Sequence, residues 1–132
     1  MIRYVRSGDL LLAVHVSGDW EEGLKFYSQD QDFVQVGTWC YSEGMVLKAH
    51  RHNPVERVIT HTQEVVYVRK GALRATVYDL DGRVAGEIEA SQGDFIIMLN
   101  GGHGYRVLEN ETQVLEIKNG PYPGADLDRT RL

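Results

Sequence analysis

The chain has 132 residues, 42% of them apolar and 25% charged, which suits one compact soluble domain and leaves little room for a second. Nineteen acidic side chains against fourteen Lys and Arg give a net charge of -5, and no basic run occurs, so a nucleic-acid partner is excluded as an expectation. The single cysteine, Cys40, cannot form an intramolecular disulfide, which fits a reducing, cytoplasmic setting.

Taken in chain order, strand signals dominate. The apolar run Leu10–Val16 is too short to span a membrane and is a poor signal peptide, so it reads as a strand and no membrane partner is expected. FVQVGTWCY (33–41), MVLKAHRH (45–52), EVVYVRKG (64–71), LRATVYD (73–79), VAGEIEA (84–90), DFIIML (94–99), GYRVLE (104–109) and TQVLEIK (112–118) follow, each rich in β-branched or aromatic residues. Asp81-Gly82 and Gly93-Asp94 read as turns between them. Many short strands at regular spacing predict an all-β domain, a closed barrel or a two-sheet jelly roll. Residues 1–32 are expected to form N-terminal strands or an arm, 33–118 the barrel and 119–132 a turn-rich C-terminal arm.

The chemistry-bearing residues concentrate in KAHRHNPVERVITHTQEVVYVRKG (48–71). Residues two apart share a strand face, so a strand over 45–52 turns His50 and His52 the same way, with Lys48 beside them. Paired imidazoles are ready ligands for a divalent metal. The alternative for the pair alone is two solvated histidines. Glu64 shares a face with Val66 and Val68, and a carboxylate on an apolar face needs a positive or hydrogen-bonding partner. His103 follows a Gly-Gly turn at the start of a strand, and Tyr105 and Val107 share its face. Cys40, between Trp39 and Tyr41, reads as buried rather than nucleophilic. No G-x-S-x-G and no phosphate-binding glycine loop occurs.

These residues resemble the two motifs of the cupin family of small β-barrels. Gly44, five residues, His50-Arg51-His52, Glu64, six residues and Gly71 match the first; Gly93, five residues, Leu99-Asn100-Gly101-Gly102-His103 approximate the second. The resemblance covers roughly 40–118. It departs from the pattern in the long gap between His52 and Glu64, in Leu99 where proline is usual, and in the early histidine. Glu56 has the usual spacing from His52, and Glu64 the usual spacing before Gly71. The two counts conflict, and the strand that Glu64 opens favours it over Glu56, which sits in loop-like Asn-Pro-Val-Glu-Arg.

The resemblance implies a cupin jelly-roll fold and a divalent metal (Fe, Mn, Zn, Ni or Co) held by His50, His52, Glu64 and His103. It also implies a homodimer and an enzyme (isomerase or epimerase, lyase or dioxygenase) acting on a small polar molecule. A likeness of EIKNGPYPG and of the 53–63 insert to small cupins of cell-surface sugar metabolism adds a sugar or sugar nucleotide as the expected substrate. Tyr105 and Lys48 are the candidate catalytic side chains. His61 is a surface histidine and a fifth candidate ligand, and Arg57, Gln63 and Tyr67 are further candidates for the pocket wall. Glu116 and Lys118 share one strand face and Leu115 and Ile117 the other. The favoured arrangement puts Leu115 and Ile117 in the core and Glu116 and Lys118 in solvent; the alternative turns Glu116 and Lys118 into the pocket with the apolar face against an arm or partner. A non-enzymatic binder of small molecules is the alternative function.

Overall fold

The computed structural model describes residues 1–132. It is all-β apart from one helical turn. Ten strands run in chain order: β1 (Ile2–Ser7), β2 (Leu10–Val16), β3 (Gly23–Phe26), β4 (Gly37–Cys40), β5 (Glu64–Lys70), β6 (Ala72–Tyr78), β7 (Val84–Ser91), β8 (Phe95–Met98), β9 (Gly102–Val107) and β10 (Gln113–Lys118). The helical turn, α1, covers Ala125–Asp128. No helix is long and apolar enough to cross a membrane.

The strands form three antiparallel sheets: β1-β2-β8-β5-β10, β7-β6-β9 and the separate hairpin β3-β4. The two larger sheets face each other across one apolar layer that includes Leu12, Val66, Val68, Val77, Ile88 and Ile96. A second layer, built on Val14, Val65, Phe95 and Ile97 with Val34 and Tyr27 over them, covers the other face of the five-stranded sheet. Burial on both faces explains why β8 is the unbroken apolar run Phe-Ile-Ile-Met, all of it buried, whereas β6 alternates. Asp79–Arg83 makes the β6–β7 turn, where Asp79 Oδ1 accepts from the backbone N–H groups of Asp81 and Arg83.

The expected closed barrel is not what forms. On one side β1 meets β7, and Val5 packs against the backbone at Gly86. On the other side β9 pairs only with β6 and β10 only with β5, so both keep a free edge and the sandwich stands open between them. The missing element is the expected strand over 45–52. From Tyr41 to Gln63 the chain forms no strand, and residues 43–61 are all exposed. Met45, Val46 and Leu47 find no apolar face within their own copy, so alternation alone does not make the strand. Cys40, expected buried, is exposed on the β3–β4 hairpin. Leu115 and Ile117, expected in the core, are 56% and 50% exposed, because they face outward at the edge of the five-stranded sheet beyond the reach of the second layer.

Candidate functional site

Glu64 is the centre of the site. It opens β5 on the inward face with Val66 and Val68 and is buried. In register it lies opposite Lys118 on β10 and Met98 on β8. Across the gap, β9 presents His103 and Tyr105, which pair with Val77 and Ala75 of the inner layer and therefore share the inward face. Their rings lie 5.1 Å apart. The expected sharing of a face by His103 and Tyr105 holds.

Three side chains satisfy the buried carboxylate. The Tyr105 hydroxyl donates to Glu64 Oε1 at 2.8 Å. His103 Nε2 stands 3.4 Å from the same oxygen, and Lys118 Nζ 3.8 Å from Oε2. Burial by itself pushes the Glu64 carboxyl up, but His103, the Tyr105 hydroxyl and the Lys118 charge together outweigh it and hold the carboxyl below its ordinary range. Tyr105 moves the other way: burial first, then the neighbouring Glu64 charge, push its phenol up, so it stays protonated and donates.

These groups line an open cavity of about 600 Å³ between the free edges of β9 and β10. Its wall is polar and of mixed charge, with Glu116, Lys118, Asp128, Arg129 and Arg131 around Glu64 and His103. Lys118 Nζ also lies 3.4 Å from Glu116. Glu116 and Lys118, expected in solvent, are thus wall residues: the register with β5 turns them inward beside Glu64 and Val66. The contribution of the C-terminal arm was not legible in the sequence. α1 places Asp128 where it accepts from the Thr62 hydroxyl, and Leu132 packs against Gly102. The run Asp-Arg-Thr-Arg carried a charge signal, but nothing in it says which surface it lies on.

The remaining expected ligands are elsewhere. His50 and His52 sit together on the exposed 41–63 segment, their rings 5.2 Å apart, and His50 Nδ1 lies 3.0 Å from the Lys48 carbonyl. Lys48, His50 and His52 do not line the cavity. Glu56 is exposed on the same segment, so the carboxylate beside His103 is Glu64. No three His, Cys, Asp or Glu side chains come close enough to hold a metal ion. As placed in one copy, the four expected ligands do not make a metal centre: one carboxylate and one imidazole meet, and the paired imidazoles stand apart on the arm.

His61, the fifth candidate, is anchored structurally, with Nε2 3.0 Å from the Leu99 carbonyl and its ring edge-on to Phe33. Gln63 is a buried brace: its Oε1 accepts from the Phe33 and Val34 N–H groups and its Nε2 donates to the Leu99 carbonyl. Tyr67 packs in the outer layer and Arg57 reaches only the Val55 carbonyl. No family model matches the chain, and no curated protein or solved structure matches it significantly.

Proposed function

We propose that the protein is an enzyme acting on a small, hydroxyl-rich polar molecule, a sugar or sugar derivative, bound in the cavity over Glu64. The carrying observation is the buried Glu64 carboxylate met by an imidazole, a phenol and an ammonium within one open cavity. Such a cluster suits proton transfer next to a carbonyl, the step shared by isomerases and epimerases. His103 takes the proton from carbon, and Glu64 steadies the imidazolium that results. Lys118 faces the oxygen on which negative charge grows, and the Tyr105 hydroxyl, by donating to Glu64, holds that carboxylate in place beside the imidazole. For isomerisation the His103 imidazolium returns the proton to the neighbouring carbon, while that carbon's hydroxyl proton passes through solvent to the oxygen that became negative. For epimerisation solvent protonates the opposite face and His103 gives its proton up to solvent. Arg129 and Arg131 suit an anionic substituent such as a carboxylate or phosphate.

The cupin resemblance in sequence adds a divalent ion to this proposal. Two of the four residues that the resemblance would assign to it, Glu64 and His103, line the cavity, and the proton steps above are those of the chain's own side chains. A non-enzymatic binder with the same polar pocket is the second reading, supported by the same mixed-charge wall.

Incubation with a panel of aldoses, ketoses and uronic acids in D2O, followed by proton NMR, tests the proposal. Loss of a carbon-bound proton signal next to a carbonyl is expected, slowed by about 100-fold or more in His103→Ala. A rise in melting temperature with a panel member that disappears in Lys118→Met, without any exchange, supports the binder. Neither exchange nor a melting shift overturns both readings.

A further inference from the structure

The segment 41–60 is an arm without a seat. Its hydrogen bonds are local: the Met45 N–H donates to the Ser42 carbonyl, His50 bonds at Lys48, and Arg57 bonds at Val55. The chain rejoins the body only at His61, whose side chain reaches the Leu99 carbonyl and whose own carbonyl accepts from Asn119. Along the arm Met45, Val46, Leu47, Val55, Val58 and Ile59 are exposed, Val46 and Val58 by 77% and 78%. A monomer seldom keeps such a run in water. The β3–β4 hairpin before it also exposes Leu24, Phe26 and Trp39.

The body has the matching deficit. The edges of β9 and β10 carry unpaired backbone N–H and C=O groups. Between them lie Val107, 63% exposed on the face of His103 and Tyr105, and Val114 on the face of Glu64. An uncovered apolar segment that forms no strand in its own copy and an open sheet edge flanked by Val107 and Val114 complement each other. Each copy offers one arm and one open edge, so two copies related by a twofold axis satisfy both, and the assembly closes.

We propose that two copies exchange these arms. The occupant of the cleft between β9 and β10 is the 41–60 arm of a second copy of this chain, paired along the free edge of β9. The exchange explains why the arm forms no strand and is uncovered in one copy, and why the sandwich is open on one side only. It carries a consequence that rests on the proposed metal reading: His50 and His52 of one copy reach Glu64 and His103 of the other, so each site takes ligands from both chains.

Light scattering on the full chain tests the exchange without any metal. Twice the 14.9 kDa chain mass is expected. Val46→Asp combined with Leu47→Asp should return the single-chain mass with the body still folded, read as a cooperative urea transition, because the arm packs on nothing within its own copy. A single-chain mass for the wild type at about 100 μM, or a double variant that stays dimeric, overturns the proposal. The metal consequence is read by elemental analysis after loading with Zn²⁺. Wild type should hold about one zinc per chain, and His50→Ala/His52→Ala and His103→Ala chains almost none. Their purified heterodimer should hold about half a zinc per chain, since it contains one intact mixed site. No recovery in the heterodimer overturns sharing across copies. A wild-type dimer that dissociates with the double Asp variant but binds no zinc supports the exchange and refutes the metal reading.

Discussion

Tyr105→Phe isolates the bond at the heart of the site. The change removes one oxygen and keeps the ring, so packing on β9 is preserved and Glu64 Oε1 loses a donor at 2.8 Å. A hydrogen bond to a buried charged group is worth about 1.5–3 kcal/mol. For a domain of this length 1 kcal/mol moves the melting temperature by about 3–5 °C, so the variant should melt about 5–15 °C below wild type at pH 7. The pH dependence carries the stronger test. Glu64 is held below its ordinary range in the folded chain, so the unfolded state binds its proton first as pH falls. The stability this group supplies is therefore fully present above its unfolded value near pH ~4.3 and is lost as pH falls through the lower folded value. The phenylalanine variant lacks part of that depression. The gap between wild type and variant should be widest above about pH 5 and should shrink at lower pH as Glu64 protonates. Urea denaturation followed by circular dichroism, from about pH 3 to pH 8, measures it. A gap that is constant across that range, or absent at neutral pH, refutes the assignment of Tyr105 as a donor to an ionised Glu64.

Two further outcomes follow from the same packing. Ile96→Ala, at a fully buried position of β8 facing the inner layer, should cost about 3–4 kcal/mol in urea denaturation; a loss below about 1 kcal/mol would show that the layer collapses freely. Gly101 has φ +73° and sits so close to the Tyr78 carbonyl that an added Cβ would meet that oxygen at 2.1 Å. Gly101→Ala should therefore cost more than the roughly 1 kcal/mol of the left-handed backbone alone, and should shift the His103 NMR signals. A variant as stable as wild type would place the turn elsewhere.

Local signals in the chain were enough for the all-β class, for eight of the strand segments in whole or part, and for the turns at Gly82 and Gly93. β-branched runs separated by glycine and aspartate have few other structures open to them. The shared face of His103 and Tyr105, and the placement of Glu64 on an apolar face, followed from the two-residue period and needed no tertiary information. What a strand pairs with is a different matter. The 45–52 segment alternates like a strand, but a strand needs an edge to bond to, and no edge within one copy receives it. Lys48, His50 and His52 therefore stay away from Glu64 in this copy. The inward turn of Glu116 and Lys118 is likewise a matter of register: TQVLEIK reads equally well with either face in, and only its pairing with β5 opposite Glu64 chooses. The wall built by Asp128, Arg129 and Arg131 depends on where the C-terminal arm folds back, which no periodicity encodes. Sequence determined which segments are able to be strands and which side chains share a face, because both are set by neighbours along the chain; tertiary structure decided which of those segments pair and which faces meet, because that depends on edges contributed from far along it.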